Sequence, residues 1–167
     1  LDLDTLALGP DDTVLVYSDS RSLGDAELDA LFAFAEAGGH LVLRLPPWQG
    51  KTPDTALADW LPIAPLLQVP GCMALDLPGQ KAREVFCRDA RFRLQQGADV
   101  SHVWRNAAGQ AVYARFVHGE GSVDLVSSLD LLQNNRLSEP GHAHFARQLL
   151  APHWGEGTLH LVYAADM

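Results

Sequence analysis

TVLVYSDSRSLGDAELDALFAFAEAGGHLVLRL, residues 13–45, decides the fold. Thr13-Val-Leu-Val-Tyr17 follows the turn-like Gly9-Pro-Asp-Asp12 and is apolar without alternation. A strand covered on both faces of a parallel sheet has that pattern. A polar loop, Ser18 to Ser22, leads into Asp25 to Ala37. There Leu28, Leu31, Phe32 and Ala35 recur at i, i+3, i+4 and i+7, the stripe of an amphipathic helix. Asp25 and Glu27 in its first turn suit the helix dipole. Gly38-Gly39 supplies the left-handed residue that ends a helix. His40-Leu-Val-Leu-Arg-Leu45 reads as a second strand. Strand, helix and strand at this spacing make a βαβ unit, which predicts that the two apolar runs lie side by side and parallel.

Outward from this unit the pattern weakens. Pro46-Pro47 closes the second strand, and the segment to about Gly79 holds seven prolines counting those two. It reads as irregular, with one short helix near Asp54 to Leu61. Glu84 to Cys87 and Phe92 to Leu94 are short strand candidates. Val103 to Arg105 and Ala111 to Val117 flank Asn106-Ala-Ala-Gly109, a hairpin turn. His118-Gly-Glu-Gly121 turns into a strand from Ser122 to Ser127. A helix starting at Glu139-Pro140 buries Phe145, Ala146, Leu149 and Leu150 and stops at Pro152. Thr158 to Tyr163 is the last strand. The expectation is one α/β domain over 1–167, with 46–118 as an irregular and antiparallel insertion.

Composition excludes several classes of function. At 167 residues the chain suits a single domain, and 47% hydrophobic with 20% charged residues is an ordinary globular mix. The net charge is −9, and Lys51 and Lys81 are the only lysines. A nucleic-acid binder needs a basic surface, so nucleic acid is not an expected partner. No apolar run reaches the roughly 20 residues that span a bilayer, and no signal peptide is visible. The chain starts at Leu1 rather than Met and stops at Met167 directly after a strand-like run, so a longer native protein is expected. Cys72 and Cys87 would form a disulfide in an oxidising compartment and stand as buried thiols in the cytosol.

Two segments taken together resemble a known family. Residues 13–45 carry strand, helix, Ala37-Gly38-Gly39 and strand. Residues 119–163 carry Gly119-Glu-Gly-Ser-Val, then Ser127 to Leu137 with Asp130, Asn134 and Asn135, a helix, and Val162-Tyr163. The combination resembles a bacterial membrane-anchored family, domain-of-unknown-function family 4350. The resemblance implies a class I glutamine amidotransferase-like fold, a flavodoxin-like three-layer sandwich with a mostly parallel sheet. It also implies a soluble domain of an inner-membrane protein, held between two membrane helices on the periplasmic side. Envelope or membrane proteins would then be its partners.

An amidotransferase needs a Cys nucleophile on a strand-to-helix elbow with a His partner. Cys72 sits in Val69-Pro-Gly-Cys-Met73, with Pro70 where such an elbow needs Gly, and Cys87 lies in a strand-like run. No Gly-x-Ser-x-Gly, phosphate loop or dinucleotide fingerprint occurs. Gly119-Glu-Gly121 joins two strands and reads as a turn. His142-Ala-His144 cannot chelate from one helix face, because residues two apart point to different sides. The other histidines are scattered, so no metal and no cofactor are expected. What remains is topological: ligands of open α/β sheets bind beyond the strand carboxyl ends. Ser18, Asp19, Ser20, Asp130, Asn134 and Asn135 would line a polar cleft there if their strands are neighbours, or serve as caps. Trp48, Trp60, Trp104 and Trp154 suit either a partner surface or packing. The sequence points to a non-catalytic, extracytoplasmic interaction or ligand-sensing module. The alternatives are a small-ligand-binding or hydrolase-like enzyme using that cleft, and a degenerate cytosolic amidotransferase-like subunit.

Overall fold

Residues 7–46, 56–66, 71–75, 83–85, 90–132 and 142–163 are described in a computed structural model. The decisive stretch folds as β1 (Thr13–Val16), α1 (Asp25–Glu36) and β2 (His40–Arg44). β1 and β2 pair in parallel, with Thr13 opposite His40 and Leu15 opposite Val42. Both strands are covered on both faces, which is why their sequences lack alternation. Val14, Val16, Leu41 and Leu43 pack with Leu28, Leu31, Phe32 and Ala35 of α1. Leu15 and Val42 belong to a second cluster on the opposite face.

The rest of the chain adds β3 (Ile63–Pro65), β4 (Met73–Leu75), β5 (Arg83–Val85), β6 (Phe92–Leu94) and β7 (Val100–Arg105). It continues with β8 (Ala111–His118), β9 (Gly121–Val126), α2 (His142–Leu150) and β10 (Leu159–Val162). The main sheet runs β10-β1-β2-β9-β8-β6-β3, with β7 also on β8. β4 and β5 form a separate antiparallel pair. α2 buries Phe145 and Leu149 in the second cluster, beside Tyr113, Val126 and Leu129. His142 is buried on that face and His144 is exposed.

The flavodoxin-like, class I glutamine amidotransferase-like three-layer sandwich expected from the resemblance is not what forms. The sheet is mixed. β10, β1, β2 and β9 are parallel, whereas β8, β6, β7 and β3 join by antiparallel pairing. Among the described residues one α-helix lies against each face. The reason lies in the connections. The Asn106–Gly109 turn and the Gly119-Glu120 turn close hairpins, and hairpin-linked strands need no crossover helix to cover the sheet. The segment read as irregular supplies β3 to the main sheet and β4 to the separate two-stranded pair. The short helix expected near Asp54 to Leu61 is one 3-10 turn, Ala56–Asp59. The expected start of the last helix at Glu139-Pro140 lies outside the described residues.

The glycines that carried the resemblance meet in space. The Gly119-Glu120 turn docks on the end of α1, where the Glu120 N–H donates to the Glu36 carbonyl and the Ser122 N–H to that of Gly39. One helix-terminal carbonyl thereby gains a partner. A Cβ on Gly121 would stand 2.2 Å from the Ala35 and Gly39 oxygens, both of them backbone. Gly121→Ala therefore forces the hairpin off the helix and should lower stability by about 2–3 kcal/mol in urea unfolding. Gly9→Ala, whose Cβ would have no neighbour nearer than 3.8 Å, should stay within about 0.5 kcal/mol.

Candidate functional site

The carboxyl ends of β1, β2 and β9 open on one edge of the sheet, in the order β1, β2, β9. β1 runs out through Tyr17 into Ser18, Asp19 and Ser20. β9 runs out into Ser127, Ser128, Leu129 and Asp130. These two loops do not flank neighbouring strands, because β2 lies between them and ends in Arg44. Arg44 stands opposite Val126 of β9, and the Leu45 N–H donates to the Val126 carbonyl.

The expected site residues fare differently. Asp19 is engaged locally. Its Oδ1 accepts from the Arg21 N–H, capping the 3-10 turn Ser20–Ser22, and its carboxylate is gripped by the Arg21 guanidinium. Partial burial opposes its charge. The Arg21 side-chain and backbone hydrogen bonds outweigh that and hold the carboxyl below its ordinary value, with Arg44 adding its charge. Asp130 is exposed and opens a 3-10 turn, its N–H donating to Ser128 Oγ at 3.2 Å. Asn134 and Asn135 lie outside the described residues. Ser20 is buried, and its Oγ has no hydrogen-bond partner.

Two further groups belong to this edge. Ser127 is buried with an unpartnered Oγ, and Arg44 has a buried, unpartnered Nε. The Arg44 guanidinium lies 6.0 Å from the centre of the Tyr17 ring. A buried donor without an acceptor is costly, so three such groups at one edge are unusual. The sequence reading missed Arg44 because a charged residue after three apolar ones looks like the solvent end of a strand. Its position beyond β2, between the two polar loops, was the signal.

A second polar cluster lies inside the sheet. Asp124 on β9 is fully buried. It accepts from Tyr113 at 2.9 Å and from Arg115 Nε and Nη2 at 2.8 and 2.9 Å. Arg115 also donates to the Gln148 and Leu149 carbonyls at the end of α2. His40 Nε2 stands 3.1 Å from Asp124 without hydrogen-bond alignment, and its Nδ1 is 3.3 Å from the Thr13 hydroxyl. Burial, then the Asp124 charge, push the Tyr113 hydroxyl far above its usual value. Burial opposes the Arg115 charge, and Asp124 outweighs it. Hydroxyl, imidazole and carboxylate in line resemble a catalytic triad. Here His40 and Asp124 are sealed from solvent and Arg115 neutralises the carboxylate, so the arrangement acts as a brace.

Cys72 is disulfide-bonded, which removes the thiolate that an amidotransferase-type nucleophile requires. Cys87, the chain's other cysteine, lies outside the described residues. Trp60 stacks on Phe32, and Trp104 packs on Tyr113 and Phe145. Trp154 is exposed, and Trp48 lies outside the described residues.

At the opposite edge Asp12 joins β1 to β10. Its carboxylate accepts from the Gly9 and Thr158 N–H groups and pairs with His160 at 3.0 Å. The Gly9 bond first, then Thr158 and His160, lower its pKa from 3.8 to about 2. The folded state therefore binds the proton less readily than the unfolded state. The resulting stability is present above pH 3.8 and is lost as pH falls towards about 2. Asp12→Asn should flatten that part of the profile: its urea midpoint should fall less than the wild type's across this window. Equal slopes for the two proteins would rule the linkage out.

Among solved structures, the exo-β-1,4-mannosidase Op5Man5 from Opitutaceae bacterium strain TAV5 is similar in fold. The identity is 17% and the TM-score 0.51, over 84% of this chain and 24% of that one. The chain thus spans about a quarter of the mannosidase, and at that identity the likeness concerns fold alone. It sets the mixed sheet beside a glycosidase structure in place of the amidotransferase-like layout. No curated protein matches the chain. The family model described as "Domain of unknown function (DUF4350)" matches residues 2–150. The Gly-Gly and Gly-Glu-Gly elements that suggested the family are the ones that pack together in the fold, and the chain belongs to the DUF4350 family.

Proposed function

We propose that the domain is a non-catalytic interaction module of a membrane-anchored bacterial protein, working on the extracytoplasmic side and docking envelope or membrane proteins along β10. One observation carries this reading. Leu159, Leu161 and Tyr163 alternate along β10 and the residue after it and are 52%, 46% and 59% exposed, and Trp154, which lines one cavity with Leu159, is 66% exposed. Contiguous exposed apolar side chains on a soluble surface mark interaction sites, and aromatic residues dominate such anchors. β10 is also an end strand of the sheet among the described residues, bonded to β1. An end strand presents unpaired backbone groups that a partner strand can use. The disulfide at Cys72 supports an oxidising compartment. No helix among the described residues is long and apolar enough to cross a membrane, so tethering rests on segments outside them. A photo-crosslinking residue at Leu161 of the full-length protein in its native membrane should give a discrete adduct. The same probe at Asp29, on the exposed side of α1, should give none. Absence of an adduct at Leu161 would sink the reading.

A ligand-sensing reading rests on the carboxyl edge. The unpartnered Arg44 Nε and the Ser20 and Ser127 hydroxyls suit a small anion, which would supply the missing acceptor. Neither serine is hydrogen-bonded to a base, so the groups suit binding better than hydrolysis. Phosphate, sulfate or small carboxylates should raise the melting temperature of the wild type and leave Arg44→Ala unchanged. Equal shifts in both proteins would assign the effect to bulk salt.

A further inference from the structure

We infer that Asp11, His153 and Glu156 form a binding site for one divalent transition-metal ion of the zinc type, at the amino edge of the sheet. The site is remote from the carboxyl edge and does not depend on either reading of it. One ligand atom from each of the three side chains lies within 4.8 Å of the other two. His153 Nδ1 is 3.7 Å from Glu156 Oε2. Two ligands bound to one zinc at about 2.0–2.1 Å in tetrahedral geometry stand roughly 3.4 Å apart, so the His153–Glu156 pair is nearly closed and binding draws Asp11 in to the same spacing.

The tautomer favours a metal. His153 Nε2 is 3.0 Å from the Gly38 carbonyl oxygen. A carbonyl oxygen accepts and never donates, so Nε2 carries the hydrogen. In the neutral ring Nδ1 then holds a lone pair. That atom is shielded from solvent and has no hydrogen-bond partner. It stands 3.7 Å from Glu156 Oε2, and the Asp11 carboxylate completes the cluster, so three electron-rich side chains converge. Only a cation, a proton or a metal ion, reconciles them. A histidine that anchors its far nitrogen on a backbone carbonyl while offering the other is the usual arrangement of a metal ligand.

The scaffold is fixed in advance. His153 ends the 3-10 turn Ala151–His153, which continues α2. Gly155 and Gly157 have positive φ, and a Cβ on Gly157 would meet the Asp11 carbonyl oxygen at 2.1 Å. The turn that carries Glu156 therefore lies directly on the backbone of Asp11. The Asp12 bond to the Thr158 N–H locks the same contact. A cavity of about 440 Å³ lined by His153, Glu156, Trp154 and Thr13 adjoins the cluster and leaves room for water as a further ligand. One imidazole with two carboxylates favours zinc and its neighbours over calcium or magnesium, which take oxygen ligands alone.

The test is calorimetric titration of the chelator-treated, tag-free protein with Zn²⁺ and with Ca²⁺. One equivalent of Zn²⁺ should bind, more tightly than Ca²⁺. His153→Ala and Glu156→Gln should each weaken Zn²⁺ binding by about tenfold or more. His144→Ala, which removes an exposed histidine elsewhere, should leave it unchanged. Glu156 is exposed, so its variant keeps the test valid should His153→Ala disturb folding. Failure to bind one equivalent, Ca²⁺ binding as tightly as Zn²⁺, or full affinity in Glu156→Gln would each overturn the site.

Discussion

A carboxylate sealed from water must be answered by positive charge and hydrogen-bond donors, and Asp124 is in that position. Its two oxygens are shared among Tyr113, Arg115 and the nearby His40, so β8, β9 and β2 are all tied to one charge. Arg115 carries the tie onward to the last carbonyls of α2, where the helix dipole welcomes a cation. The parallel and antiparallel halves of the sheet meet at β9. The Asp124 cluster therefore sits on the seam, and a helix is fastened over it. Removing one member would strand the others in a medium that tolerates no unpaired charge.

This brace explains how one chain supports two kinds of sheet. The parallel half is specified by β1-α1-β2, whose strands need apolar residues on both faces. The antiparallel half is specified by short turns, and its strands are as brief as three residues. Between them, β9 starts as an alternating strand and ends as a fully buried one. Asp124 falls where alternation places a polar side chain, but on a face that α2 covers, and Arg115 on the paired strand makes its burial possible.

The same contrast marks what the sequence could reveal. Residues 13–45 were legible because local periodicity, a helix stop and two apolar runs all agree. The glycine turns were legible because backbone geometry demands them. The sheet's character was not: a three-residue strand such as Ile63–Pro65 carries no period, and its partner Phe92–Leu94 lies far along the chain. The amidotransferase-like layout followed from the resemblance, and the antiparallel strands read as an insertion are part of the main sheet instead. At the carboxyl edge the loops of β1 and β9 were visible as polar clusters and β2 as a strand, but the place of β2 between them was not. Arg44 went unnoticed because a charge closing a strand reads as its solvent end, and Asp19, a candidate from its place beyond β1, turned out to be held by its own neighbour Arg21. His153, Asp11 and Glu156 could not have been grouped at all, since only the pairing of β10 with β1 brings them to one place.

The contact of Gly121 with the end of α1 has a wider consequence. Two of the most recognisable letters of this sequence, Gly119 and Gly121, are ones where an added Cβ collides with main chain. They identify the chain by forbidding side chains, which is a fingerprint of shape and carries no chemistry. Scanning those letters by mutagenesis in search of a biochemical role would return misfolded protein and little else. The informative positions are the quiet ones, whose replacement leaves the hairpin seated and alters only what the surface can hold.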